Sequence, residues 1–219
     1  MMQTPIPQEA FSEILKELDR QPVAINNYRN KSGSGRSQTW GVIGRRCLPP
    51  DASRMNWERP YLYHLLLEFG KKYVSLPYTS ITVNQNYQAA AHYDKNNKGN
   101  SFLVGFGNYT GGKLKILEGD LSGTYDINCK PIVADFSKML HEVEPFQGSR
   151  YSLVYYCFEN KKSVPLPTFD VKEEGGKWFF FRDGVKITKE EGMPHPRRKL
   201  KEKKSMIQSY QLEFEVRFD

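Results

Sequence analysis

The chain has 219 residues, of which 38% are hydrophobic, and its 32 lysines and arginines against 25 acidic residues give a formal net charge of +7. This length suits one domain with a sizeable core and modest extensions. No apolar run approaches the roughly 20 residues that cross a bilayer, and the first residues lack the apolar segment of a signal peptide. The charge fits either ordinary solubility or a polyanionic partner such as nucleic acid.

The three cysteines are widely spaced and odd in number: Cys47, Cys129 and Cys157. This pattern favours reduced thiols over a disulfide framework or a zinc site. We therefore expect an intracellular protein. We also expect it to be nuclear if the host is eukaryotic, to be a monomer and to have no membrane contact.

Two helices are predicted in the first third of the chain, at residues 7–20 and 60–72, from apolar side chains at helical spacing. Between them, residues 27–46 are basic and rich in Gly and Ser, which is typical either of a phosphate-binding segment or of a flexible surface loop. Only residues 39–43 resemble a short strand. Arg36 lies in this segment, and we predict that it contacts the substrate.

A series of short strands follows the second helix. Alternating or apolar runs bounded by turn signals predict strands at residues 79–87, 101–107, 113–117, 126–129, 131–136, 141–143 and 150–158. The pair Gly111-Gly112 is interpreted as turn chemistry rather than as a ligand site. The pattern predicts a mainly β fold with flanking helices and a double-stranded β-helix, or jelly-roll, core within residues 1–160.

The composition changes after residue 160. Residues 177–188 predict a hairpin with a turn at Asp183-Gly184, and residues 208–218 predict a last strand. The basic run at residues 194–204 suits a solvated tail, a DNA-contacting arm or a nuclear address, and its His195 is interpreted as exposed. We expect residues 161–219 to form a hairpin and a basic extension that pack on the same domain.

The clearest chemical signal is the pair His92 and Asp94, because residues i and i+2 of a strand project from the same face. With the later His141 they predict a 2-His-1-carboxylate facial triad, which holds Fe(II) and leaves positions open for a co-substrate and O₂. Arg150 opens the next strand, where its guanidinium suits the far carboxylate of a dicarboxylic co-substrate. A histidine alone is more often a surface or hydrogen-bonded core residue, so the order of all four residues carries this interpretation.

Two asparagines precede this pair on the predicted strand at residues 79–87. Asn84 and Asn86 alternate with apolar or bulky neighbours, so we predict that they face the interior of the barrel beside the iron. Asn84 is the predicted contact to the co-substrate.

Residues 79–101 also resemble the ten-eleven-translocation and base-J-binding protein family, Fe(II)/2-oxoglutarate dioxygenases that hydroxylate the 5-methyl group of pyrimidines in DNA. The segment Asp94-Lys-Asn-Asn-x-Gly and the Gly-Gly turn carry the resemblance most specifically. The resemblance covers roughly residues 30–158, with further support at residues 35–38, 105–112 and 141–150. The large insertions and Cys-rich zinc region of the animal enzymes are absent, as is the long extra domain of base-J-binding proteins.

This resemblance implies roles for five residues. His92, Asp94 and His141 would hold the iron, Arg150 would hold 2-oxoglutarate, and Asn97 would contact the target base. The chain is similar to a minimal catalytic core that flips 5-methylcytosine or thymine out of DNA and hydroxylates its methyl group. Fe(II), 2-oxoglutarate and O₂ are the expected cofactors, ascorbate is the expected reductant, and succinate and CO₂ are the expected by-products.

Two other functions are compatible with the sequence. One is the same iron chemistry on a protein side chain or a small metabolite, which would show no salt-sensitive DNA binding. The other is a jelly-roll module that binds nucleic acid without turnover. A purely binding protein does not need all three ligands and the arginine, so the complete set argues against the second.

Overall fold

The computed structural model describes residues 1–25, 33–45, 48–160 and 166–192. In these ranges, a 3₁₀ turn at Gln8–Phe11 precedes four helices: α1 (Ser12–Arg20), α2 (Met55–Glu58), α3 (Pro60–Tyr73) and α4 (Lys189–Gly192). The strands are β1 (Gly33–Arg45), β2 (Leu48–Ala52), β3 (Ser80–Ala89), β4 (Asn97–Gly111), β5 (Leu114–Ile116), β6 (Gly123–Tyr125), β7 (Ile132–Ala134), β8 (His141–Val143), β9 (Phe146–Phe158), β10 (Phe169–Glu174), β11 (Lys177–Arg182) and β12 (Val185–Ile187).

The strands form three antiparallel sheets. The major sheet has the order β2-β1-β3-β9-β4-β7, the minor sheet β6-β5-β8, and the third sheet β10-β11-β12. Leu103 of the major sheet packs with Leu114 and Ile116 of the minor sheet in one buried cluster. Two antiparallel sheets that share an apolar interior form a jelly-roll core. The predicted fold class is therefore confirmed.

The helices cover the other face of the major sheet. Alternation along β9 sends Leu153 and Tyr155 toward the helices, where both are fully buried. Phe11 stacks on Phe106 of β4 with 4.7 Å between ring centroids, and the Tyr155 hydroxyl donates to the Leu66 carbonyl of α3 at 2.7 Å. This helical layer supports the strands whose opposite face lines the candidate site.

The third sheet packs on α2 and α3. Trp57 of α2 contacts Phe180 with ring centroids 5.6 Å apart, and the Tyr63 hydroxyl donates to the Phe169 carbonyl at 3.0 Å. The predicted hairpin turn is present, because Asp183 and Gly184 both adopt the left-handed conformation that a two-residue hairpin loop requires. The division of the chain at residue 160 stays a prediction.

Two local predictions were wrong. Residues 33–38 are not a loop, because β1 begins at Gly33 and pairs with β3 along this stretch. Residues 126–129 are not a strand: Asn128 forms only an isolated bridge to Gly105, and Cys129 has a positive φ of 55° that ends extended pairing.

Other predictions lie outside the described residues: the final strand at 208–218, the basic run at 194–204 with His195, the state of Cys47, and part of the basic segment before β1. Cys129 and Cys157 carry free thiols. Within the described ranges, no helix combines the length and hydrophobicity needed to cross a bilayer.

One buried side chain ties α2 to the major sheet and allows a test of the fold. The Asn56 amide accepts from the Gly41 N–H at 2.8 Å and donates to the Gly41 carbonyl at 3.2 Å. Asn56→Ala leaves the Gly41 N–H without this acceptor in a buried position, so we expect the free energy of unfolding to fall by about 2 kcal/mol. Urea denaturation measures the change. Asn100→Ala, at an exposed position, is the matched control, and an equal change in both variants contradicts the assignment.

Candidate metal and co-substrate site

The two histidines of the site are held together by main-chain hydrogen bonds. The His92 N–H donates to the His141 carbonyl at 3.0 Å, and the His141 N–H donates to the His92 carbonyl at 3.1 Å. His141 belongs to β8, so His92 adds a single paired residue to the open edge of the minor sheet. The imidazole centroids lie 4.4 Å apart. The pairing therefore places both rings side by side, although they are far apart in the sequence.

His92 and Asp94 do not lie on a regular strand, contrary to the expectation behind their pairing. They belong to the connection between β3 and β4, where only His92 forms a bridge. Asp94 is fixed by its own N–H, which donates to the Phe136 carbonyl at 3.0 Å. The two side chains still lie close together, because the main chain at His92 and at Asp94 is hydrogen bonded to the same stretch of chain, which runs from Phe136 to His141 at the start of β8.

The three side chains form one cluster in which the ligand atoms of His92, Asp94 and His141 all lie within 4.8 Å of one another. His92 Nε2 is 3.5 Å from Asp94 Oδ1. His141 is 5% exposed, and burial lowers the pKa of its imidazole despite the opposing effect of Asp94. A lowered pKa favours the neutral ring, which is the form that binds a metal ion.

The main chain also selects the tautomer of each ring. Nδ1 of His92 lies 2.7 Å from the Ala90 carbonyl, and Nδ1 of His141 lies 2.9 Å from the Met139 carbonyl. A carbonyl oxygen only accepts, so each neutral ring carries its proton on Nδ1 and its lone pair on Nε2. Metal-ligating histidines usually have such a carbonyl partner on the second nitrogen. The donor set of two imidazoles and one carboxylate suits Fe(II).

A cavity extends from this cluster along β9, and side chains of both the major and the minor sheet line it. Arg150 and Ser152 line it from β9, and Leu114 and Val143 line it from the minor sheet. The cavity therefore occupies the interior of the jelly roll, on the face of the major sheet opposite the helices.

A β-bulge in β3 shapes this cavity. Ser34 pairs with Gln88 and Arg36 pairs with Gln85, so two residues of β3 oppose the single Gly35. Within the bulge Asn86 adopts a positive φ of 48°, and the extra residue reverses the alternation of side chains. The cavity is consequently lined by Thr82 and Asn84 before the bulge and by Tyr87 and Ala89 after it.

The bulge separates the two asparagines that were predicted to face the interior together. Asn84 lines the cavity, and its Nδ2 donates to Ser152 Oγ at 3.2 Å while its buried Oδ1 has no hydrogen-bond partner. Asn86 is exposed, and its Oδ1 instead accepts from the Arg150 N–H at 2.8 Å. Turning the Asn84 amide over would let Oδ1 accept from the Ser152 hydroxyl and direct Nδ2 to a carboxylate ligand. Its contact to a co-substrate stays a prediction.

Arg150 is the most deeply buried charged side chain among the described residues, with 2% of its surface exposed. Its Nε donates to the Gly112 carbonyl at 3.1 Å, and the guanidinium carbon lies 5.5 Å from the Tyr109 ring centroid and 5.7 Å from that of Phe146. Burial lowers its pKa, and among the described residues no carboxylate offsets this effect. A buried guanidinium without an acidic partner is costly, so the cavity fits an anionic ligand.

Gly112 provides the space for this guanidinium, a role that the interpretation of Gly111-Gly112 as turn chemistry missed. Its φ is +61°, and a Cβ atom there would lie 2.8 Å from Arg150 Cδ and 2.9 Å from Nε. The sequence signal was the glycine pair itself, but the distant residue that needs the space is visible only in the fold. Tyr109 and Phe146, the rings beside the guanidinium, were also not singled out.

The two predicted substrate contacts occupy different places. Asn97 lines the cavity next to Asp94 and is 7% exposed. Arg36 is half-buried on β1, does not line this cavity, and donates from its guanidinium to the Val23 carbonyl at 3.0 Å. The structure therefore brings Asn97, but not Arg36, to the candidate metal site.

Comparison with known proteins yields structural similarity only. The sequence matches no protein-family model and no curated protein. The solved structure "NgTET1 in complex with 5mC DNA" superposes with a TM-score of 0.52 at 17% identity, over 73% of this chain and 72% of that one. At this identity the similarity establishes the fold, which is shared with that protein.

Two further structures superpose less well. A Pseudomonas putida prolyl-4-hydroxylase gives a TM-score of 0.47 at 16% identity, over 74% of this chain and 92% of its own. An oxidoreductase of the 2OG-Fe(II) oxygenase family from Burkholderia pseudomallei gives a TM-score of 0.43 at 15% identity, over 69% of this chain and 81% of its own.

The contact between Gly112 and Arg150 generates a test. Gly112→Ala should displace the guanidinium and weaken the binding of 2-oxoglutarate, the co-substrate expected from the sequence, by at least about ten-fold, which corresponds to the loss of one charge-assisted hydrogen bond. Calorimetric titration of the metal-loaded protein measures the affinity. Gly175→Ala is the matched control, because Gly175 has a similar φ of +59° but nothing within 4 Å of the added Cβ. Equal affinity in both variants contradicts the assigned role of Gly112.

Proposed function

We propose that this chain is an Fe(II)- and 2-oxoglutarate-dependent dioxygenase. The observation that carries the proposal is that the His92–Asp94–His141 cluster and Arg150 line one cavity. The cluster supplies the donor set of a facial triad, and the buried guanidinium supplies a cation for the far end of a dicarboxylate. A purely structural arrangement would give Arg150 an acidic partner, and among the described residues none is present.

Residues at different positions in the site have different roles in the proposed reaction. Fe(II) bound here would supply the activation of O₂, with one oxygen atom entering succinate as 2-oxoglutarate loses CO₂ and the other entering a C–H bond of the substrate. The carbonyls of Ala90 and Met139 hold the two imidazoles with Nε2 as the donor atom. Arg150 orients the co-substrate, and the rings of Tyr109 and Phe146 lie beside its guanidinium.

The substrate that we propose is a 5-methylpyrimidine of DNA, flipped into the cavity. The formal charge of +7 supports a polyanionic partner. Lys95 lies within the turn that runs from Asp94 to Asn97, Lys98 follows this turn directly, and both lysines are exposed. The fold is also shared with a protein whose structure is titled as a complex with 5mC DNA.

The hydrogen bonds of Asn97 favour 5-methylcytosine over thymine. The amide nitrogen donates to Asp94 Oδ2 at 3.2 Å and to Ser101 Oγ at 3.1 Å, which uses both of its protons. The remaining group of this side chain is the oxygen, which only accepts. Beside the 5-methyl group, cytosine carries a 4-amino donor and thymine a 4-oxo acceptor. A contact to Asn97 therefore suits the methylated cytosine.

Nucleoside mass spectrometry tests the proposal directly. The protein is incubated with Fe(II), ascorbate and 2-oxoglutarate on DNA that contains 5-methylcytosine and thymine, and the DNA is then digested. We expect 5-hydroxymethylcytosine in excess over 5-hydroxymethyluracil, and neither product with His92→Ala, which removes one donor atom. Succinate formation without a modified nucleoside would redirect the proposal to a protein or metabolite substrate. Unchanged activity in His92→Ala would contradict the assignment of the site.

The two lysines give a separate test of DNA as the substrate. Replacing both Lys95 and Lys98 by Gln should weaken DNA binding and reduce the slope of log K against log salt by about one for every phosphate that the protein no longer neutralises. Fluorescence anisotropy over a series of salt concentrations measures both quantities. Lys177→Gln with Lys189→Gln makes the same change of charge on the helical side of the molecule. Equal effects of the two double variants would show that the binding is not localised at the cavity.

A further inference from the structure

The side chain of Asn97 has two hydrogen-bond partners that a contact to the substrate does not explain. It lies at the start of β4 and is 7% exposed, and its amide nitrogen reaches both Asp94 Oδ2 and Ser101 Oγ. Ser101 is fully buried. A polar chain Ser101–Asn97–Asp94 thus runs from the interior of β4 to the metal cluster.

The two oxygens of the Asp94 carboxylate have different surroundings. Oδ1 lies 3.5 Å from Nε2 of His92, on the side of the metal cluster. Oδ2 accepts from the Asn97 amide at 3.2 Å. The carboxylate would otherwise rotate about its terminal torsion, which is broad and roughly two-fold. A donor on Oδ2 restricts that rotation and leaves Oδ1 toward the imidazoles.

Asn97 is itself held at both ends. Its main-chain N–H donates to the Asp94 carbonyl at 2.9 Å, which closes a four-residue turn. Its side chain is anchored by Ser101, four residues along β4. The amide therefore donates to Asp94 from a fixed position, as the hydrogen-bonded partners of ligating carboxylates do in metal sites.

We infer that Asn97 is a positioning residue, which fixes the Asp94 carboxylate so that Oδ1 alone is presented to the metal ion. This inference rests on the proposed function, because it assumes that the cluster binds a divalent metal. It assigns the amide nitrogen of Asn97 to the metal site and leaves only the amide oxygen for the substrate. Loss of Asn97 should then weaken metal binding even when no DNA is present.

Titration of the metal-free chain with Mn(II) alone tests this inference without turnover. Free Mn(II) is followed by electron paramagnetic resonance in the wild type, in Asn97→Ala and in Asn97→Leu, which keeps the size of the side chain but cannot donate. We expect both variants to bind Mn(II) about 10- to 100-fold more weakly than the wild type, as for other losses of a carboxylate's outer partner. Asn96→Ala, at the exposed neighbouring position, should bind as the wild type does.

The outcomes separate the inference from the proposed function. If the wild type binds Mn(II) and both Asn97 variants bind it equally well, the positioning role is wrong while the proposed function stands. If the wild type binds no Mn(II), the proposed function fails and the inference fails with it. Urea denaturation of the metal-free proteins is measured in parallel. Weaker Mn(II) binding by an Asn97 variant whose midpoint of urea unfolding equals that of the wild type supports the inference.

Discussion

The candidate site depends on the two main-chain hydrogen bonds that join His92 to His141. They attach an irregular connection of the major sheet to the edge of the minor sheet, and so they close the jelly roll at one end. Backbone bonds are a stable way to fix this contact, because each buried N–H and carbonyl needs a partner in any case. The hydrogen-bonded main chain then determines the positions of the side chains in the cluster.

The other end of the cavity is built around a buried charge. Arg150 is enclosed by the Tyr109 and Phe146 rings and by the carbonyl of Gly112, and the described residues provide no counter-ion. Such a group costs folding free energy that an anionic ligand would recover. The fold thus places a donor cluster and a cation without an acidic partner in one cavity, which is the combination that a dicarboxylate co-substrate beside a metal ion requires.

Much of the site was predictable because its chemistry needs particular residue types at short spacing. The order of His92, Asp94, His141 and Arg150 along the chain predicted a metal site with a cation beside it, and Arg150 stood out as a charge at the start of an apolar strand. The strand assignment around His92 was wrong, since the pair lies in a connection. The bulge at Asn86 was not foreseeable, because the sequence indicates which side chains share a face only through regular alternation, and the extra residue of a bulge reverses that alternation. The space that Gly112 leaves for Arg150 likewise depends on two strands whose register the sequence does not encode locally.

A crystal structure of the full chain, grown without oxygen in the presence of Fe(II) and 2-oxoglutarate, tests the assignment of the site most directly. We expect an anomalous iron peak bound by Nε2 of His92, Nε2 of His141 and one oxygen of Asp94, with the far carboxylate of 2-oxoglutarate on the Arg150 guanidinium. Iron at another place, or a co-substrate whose far carboxylate avoids Arg150, would contradict it.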